Sequence, residues 1–344
     1  MTSALLATAR NFSHGTQAVA PCAAALILCV LVLQTVSANE VIRFGTGGNE
    51  GSYFPVGSII AVAINERRIE TEDGQEIVVL PQRSNGSVAN LNDISDNLLE
   101  MGLAQADVVS FARAAVGQFE DTAVGESLRT VGTLYVESVH LVVSVDSGIE
   151  EFSDLAGKRV SVDELGSGTQ IDVEPMLAAH EMTYEDIQAV YLKPVDSIER
   201  LREGQLDAFF MIAGYPIKGV KDLVDEGIGK VIGLEQEIID QLTSEHLYFS
   251  RSVIPANIYA NDSQTPTLGV PAQIIVNNEL DESIAYEITK TLWSESTLKA
   301  LAEGHPRGAD IAAETALRGV AIPLHLGSFR YYQEQGISVP QHVR

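Results

Sequence analysis

Three short stretches of this chain place glycine, serine and threonine where a helix is due to begin. They are "FGTGGNEGSYFPVG" at 44–57, "RSNGSVANL" at 83–91 and "LGSGTQID" at 165–172. The first turn of a helix has backbone N–H groups without intrahelical partners, and its dipole favours negative charge, so such loops suit a small oxyanion. In the first loop the donors are the N–H groups from Gly48 to Tyr53 and the Ser52 hydroxyl, with the Tyr53 ring beside them. In the second, Gly86 makes the turn, Ser87 caps the helix, Asn90 lies one turn inside and Arg83 precedes the loop. In the third, Gly166 and Gly168 flank Ser167, and Thr169 starts the helix. A nucleotide is excluded at the first loop: Glu50 stands where the third glycine of a dinucleotide fingerprint belongs, and no Gly-Lys-Ser/Thr follows.

Other polar side chains also stand where strands end. Gln105 and Asp107 follow "MGLA", and Glu137, Ser138 and His140 lie in "LYVESVHLVV". An acid beside a ligand holds an ammonium group or fixes a hydroxyl; Asp107 and Glu137 read equally as helix caps or as partners across a hinge. Catalysis has little to stand on. "GSGT" is no nucleophile elbow, because Leu165 and Thr169 occupy the outer positions. His140, His180, His246, His305 and His325 are scattered without metal spacing. The expectation is therefore a binding protein with no catalytic residue, no metal and no cofactor.

The elements that must carry these loops alternate. Strand-like runs lie at 77–80, 101–108, 139–145, 158–162, 189–193, 206–213, 230–234 and 272–276, and helical patterns at 54–66, 87–98, 169–180, 195–203 and 281–302. This predicts an α/β fold with largely parallel sheets. At "SDLAGKRVSV" a helical turn ends on Gly157 and a fresh strand–helix series begins. It predicts a second lobe at 145–266, inserted into a first lobe built from 39–144 and 267–344. Extended crossings near Val143–Val145 and Thr267–Val270 would form a two-strand hinge, which suits a closing cleft.

Residues 1–38 read as a signal peptide: a polar lead, the apolar run "AVAPCAAALILCVLVL", and "TVSA" with small residues at the cleavage positions. Both cysteines, Cys22 and Cys29, fall inside it, so the exported protein needs no disulfide. The chain carries a net charge of −25, and cleavage after Ala38 removes one arginine and no acid. Such a surface repels nucleic acid and anionic lipid, so neither is expected as a partner. The location expected is periplasmic.

In order, "FGTGGNEGSYFPVG", "RSNGSVANLNDI", "MGLAQADV", "GTLYVESVHLVV", "DLAGKRVSVDELGSGT", "GQLDAFFMIAGYP", "PTLGVPAQIIV" and "GVAIPLHLGSFRYYQEQGI" resemble the TAXI-type solute receptors of TRAP transporters. The resemblance implies a type II periplasmic-binding-protein fold whose lobes shut on one small anionic or zwitterionic solute, such as glutamate, glutamine or 2-oxoglutarate. It implies delivery to a TRAP membrane permease driven by an ion gradient. Carried residue by residue, the family's loop positions fall on Gly48, Ser52, Tyr53, Ser87, Asn90, Gln105, Glu137, Ser167, Thr169 and Phe210. The chain departs from the pattern at Asn49 and Glu50, at Arg83 and Asn85, and at Leu326. The alternative is a receptor of the same fold serving an ABC importer of sulfonates or amino acids. An enzyme on this fold is the third reading, and the lack of a cysteine after the leader argues against the thiol-anchored cofactor of the known example.

Overall fold

The computed structural model describes residues 39–344 except Leu247. The expected signal peptide, with Cys22 and Cys29, lies outside the described residues. No described helix is long and apolar enough to cross a membrane.

The chain runs through β1 (Glu40–Gly45), α1 (Tyr53–Glu66), β2 (Ile77–Gln82), α2 (Ser87–Ser95), β3 (Met101–Gln105), α3 (Ala106–Ala114) and the long β4 (Leu128–Ser144). It continues with β5 (Arg159–Ser161), α4 (Gly168–Ala179), β6 (Gln188–Val190), α5 (Pro194–Arg202), β7 (Ala208–Ala213), α6 (Lys218–Asp225) and β8 (Gly229–Ile232). The last part is α7 (Gln236–Glu245), β9 (Ser250–Ile254), a second long strand β10 (Thr265–Asn277), α8 (Glu282–Leu292), α9 (Glu295–Gly304) and α10 (Leu326–Glu334). The alternation expected from the sequence is present, with three differences.

First, the sheet is mixed. β1, β2 and β3 pair in parallel, as do β5, β6 and β7, but β4 and β10 pair antiparallel with each other and with their other neighbours. Hydrophobic runs of this kind read the same in either direction, which is why the sequence suggested largely parallel pairing. Second, the extended run at 101–108 ends at Gln105, and α3 begins on the next residue. Third, the helix expected over 281–302 is two, because Ser294 accepts a hydrogen bond from the Thr297 N–H at 3.3 Å and starts a new helix.

The two long strands tie the halves together. β4 pairs with β10 from Leu128 to Ser138 and then with β7, while β10 pairs with β9 from Thr265 to Gly269 and then with β4. Both exchanges meet at the facing pair Ser138 and Gly269. This lies inside the crossing expected at Thr267–Val270 but upstream of the one expected at Val143–Val145. The reason is packing: Val139, Leu141 and Val143 already belong to the core of the second half, with Phe152, Val173 and Phe210. The first half has its own core, in which Phe44, Leu103, Leu134 and Ile274 pack against α1, α8 and α10.

Candidate functional site

Four helix N-termini, those of α1, α2, α4 and α5, converge on one cavity of ≈ 80 Å³ between the halves. Its wall includes Gly48, Ser52, Tyr53, Ser87, Gln105, Glu137, Ser167 and Thr169, eight of the ten residues singled out from the sequence. The other two do not reach it. Asn90 is fully buried and donates through Nδ2 to the carbonyls of Thr46 at 2.8 Å and Leu103 at 2.7 Å, so it binds the first loop to β3. Phe210 packs on Phe152, with ring centroids 5.7 Å apart, in the core of the second half. Its neighbours Met211 and Ile212 line the cavity instead. Met211 and Ile212 face opposite sides of β7 and both reach the cavity because they lie nearer the C-terminal end of the strand, whereas Phe210 sits one residue deeper.

Several polar side chains of the wall already bind protein. Ser87 Oγ accepts from the Gln105 N–H at 3.1 Å, Thr169 Oγ1 accepts from the Ile212 N–H at 3.1 Å, and Ser167 Oγ caps α4 by accepting from the Gln170 N–H at 3.1 Å. Contacts between the halves hold the cavity shut. Ser52 Oγ accepts from the Gly214 N–H at 3.0 Å, and the Ala89 N–H donates to the Gly166 carbonyl at 3.2 Å. The closest fit is at Gly168, where a Cβ would lie 1.3 Å from Gln105 Oε1. Gln105 cannot easily move aside, since Ser87 Oγ donates to its Oε1 at 3.3 Å and its Nε2 donates to Asp172 Oδ2 at 3.1 Å.

The electrostatics differ from the oxyanion cleft the loops suggest. No basic side chain lines the cavity among the described residues, and three acids do: Glu137, Asp163 and Glu164. Arg83 is exposed and stacks over the Phe54 ring, 4.7 Å from its centroid, and Glu50 lines a neighbouring groove with Arg83 and Lys193. Arg307 lies behind β4, donating to the Val136 carbonyl at 3.1 Å and stacking 4.4 Å over Tyr215.

Glu137 is the centre of the acid wall. It is 2 % exposed, and burial pushes its carboxyl up to about 8. The hydroxyls of Tyr53 and Tyr135 are buried without a hydrogen-bond partner. Tyr135 stands two residues before Glu137 on β4 and so shares its face. Burial pushes Asp163 up to about 7, against the Glu164 N–H that it accepts at 2.8 Å. Asp163, Glu164, Met211 and Ile212 were not singled out from the sequence. Asp163 carries a signal only in the structure, a left-handed φ of 73° that non-glycine residues seldom adopt.

A family model described as the NMT1-like family matches residues 44–336. A solved structure from Bordetella bronchiseptica RB50 covers 89% of this chain and 85% of its own, at 15% identity and a TM-score of 0.51. The alkanesulfonate-binding protein SsuA of Xanthomonas axonopodis pv. citri, bound to MOPS, covers 90% and 97% at 15% identity and a TM-score of 0.47. The substrate binding protein of an amino acid ABC transporter covers 77% and 99% at 13% identity and a TM-score of 0.45. The fold is α/β of the type II periplasmic-binding-protein kind, two lobes joined by a two-strand hinge.

Proposed function

The chain belongs to the NMT1-like family, and we propose that it is an extracytoplasmic solute receptor for a small amino acid zwitterion. One observation carries the choice of ligand. Glu137 presents a carboxyl, removed from water, to a cavity whose lining among the described residues holds no basic side chain. A buried carboxylate of that kind is costly alone and favourable beside a cation. The solute's ammonium group sits on Glu137, beside the Tyr53 hydroxyl. Its carboxylate takes the N–H groups at the starts of α2 and α4, where the dipoles favour negative charge. Lobe 1 supplies Glu137 and α2, and lobe 2 supplies α4, so the solute bridges both and favours closure.

Among the solutes expected from the sequence, this wall favours glutamine over glutamate and disfavours 2-oxoglutarate, which carries two negative charges and no ammonium. The membrane partner is a permease. Two of the neighbours have printed names that state a role, an alkanesulfonate-binding protein and a binding protein of an amino acid ABC transporter. Those names side with the ABC alternative rather than with the TRAP and TAXI expectation, and the likeness behind them is one of fold. Uptake in reconstituted vesicles separates the two permeases, by dependence on ATP or on an ion gradient.

A thermal-shift comparison of glutamine, glutamate, 2-oxoglutarate and taurine tests the ligand class. A solute at a hundred times its Kd adds about 2.7 kcal/mol, several degrees for a chain of this size. The expected result is a shift with glutamine and none with 2-oxoglutarate; the reverse order removes the ammonium site.

A further inference from the structure

A second set of buried acids lies outside the cavity, at the contact between the lobes. Asp107 is in the first turn of α3, in lobe 1, and Asp172 is on α4, in lobe 2. They are 0% and 1% exposed. Both oxygens of Asp107 and Oδ1 of Asp172 have no hydrogen-bond donor, and Asp172 Oδ2 accepts only from Gln105 Nε2 at 3.1 Å. The two carboxyls are within hydrogen-bonding reach of each other. Two carboxylates in contact, with three oxygens lacking donors, are an arrangement a protein does not keep in its fully charged form. One proton resolves it, because a carboxylic acid donates to its neighbour.

The surroundings say where that proton goes. Asp107 lies in the first turn of α3, where the helix dipole favours negative charge. Asp172 has the opposite neighbourhood: burial, the Asp107 charge and the Glu137 charge all push its carboxyl up. The other titratable groups near the pair are Tyr248 after α7 and Tyr184 after α4, both of which stay neutral in the physiological range. Gln105 on β3 is uncharged.

We propose that the lobe contact is a proton-binding site: Asp172 takes up one proton as it docks against Asp107, so that closure of the cleft, and with it the affinity for solute, falls as pH rises. This rests on the reading of the protein as a receptor that opens and closes. In the open form both carboxyls are hydrated and titrate near the ordinary value of about 3.9. In the closed form burial and mutual repulsion raise the pair. The closed form therefore gains a proton between those limits, and its advantage shrinks up to tenfold per pH unit until the raised value is passed.

Small-angle X-ray scattering of the protein without added solute, from pH 5 to pH 8.5, reads the open–closed balance directly. The expected result is a radius of gyration that grows with pH in the wild type and in Glu137→Gln, which excludes Glu137 as the source. In Asp172→Asn an amide donates to Asp107 without a proton, and the profile is expected to be flat. Asp107→Asn reverses the roles and is expected to be flat too, so a folding failure of either variant leaves the other to decide. A flat wild-type profile, or a slope that the asparagine variants keep, overturns the inference. The solute reading fails separately, on the thermal-shift panel, which does not depend on the scattering.

Discussion

Glu137 and the Asp107–Asp172 pair are both carboxyls withdrawn from water, and they differ in what lies beside them. Glu137 faces a cavity, with the unpartnered Tyr53 hydroxyl on the same wall. The pair faces only itself and Gln105. The same desolvation therefore asks for different remedies: a cation from outside at Glu137, and a single proton at the pair. It also gives the two places opposite proton linkage. Filling the cavity with an ammonium group drives a proton off Glu137, whereas docking the lobes draws one onto Asp172.

The largest expected effect tests the cavity side. Glu137→Gln removes the charge that holds the ammonium, and losing one partner of a buried pair costs about 3–5 kcal/mol, so solute affinity should fall by a factor of roughly a hundred or more. The same variant should be the more stable protein at high pH. The carboxyl is raised by burial to about 8 from an ordinary 4.5, so its contribution is fully present below the ordinary value and is lost as pH climbs through 8. Melting temperatures at pH 5 and pH 9 check this: the wild type should lose more than the variant.

Next is the closure contact. Gly168→Ala places a methyl group against Gln105 Oε1, and an overpacked contact costs about 1–3 kcal/mol. Because the clash exists only when the lobes meet, affinity should fall about ten- to a hundredfold by calorimetry. The melting temperature of the solute-free protein should move little. Asn90→Ala reverses that pattern. It removes two buried hydrogen bonds that hold the first loop to β3, lowering stability by about 1–3 kcal/mol in a denaturant melt. Affinity per folded molecule should change much less. The smallest effect is at Arg83, exposed and stacked on Phe54: Arg83→Ala should change affinity by less than about twofold, as for an ordinary surface position. A large loss there would return a basic group to the site.

The three loops were legible because their cause is local. Glycine before serine or threonine at a helix start has the same meaning wherever the chain later folds, and Ser52, Ser87, Ser167 and Thr169 were placed from that alone. Phe210 was not: how far along β7 the cavity reaches depends on which strands flank it, and Leu141 across the ladder is far away in sequence. The hinge was half legible, since Thr267–Val270 brackets the observed exchange while β4 continues unbroken into the second lobe's core. Least visible was the acid pair. Asp107 reads as a helix cap or a hinge partner, and nothing near Asp172 in sequence announces that β3 and α4 will bring the two together.

The central claim is that Glu137 receives a cationic nitrogen, and proton bookkeeping on binding tests it most directly. Glutamine would be titrated calorimetrically into Asp172→Asn protein at pH 7.5, in two buffers of different ionisation enthalpy, the variant removing the opposing uptake at the lobe contact. The account predicts release of a substantial fraction of one proton, as Glu137 goes from partly protonated, at about 8, to charged beside the ammonium group. Binding with no proton exchanged, or with net uptake, would contradict it.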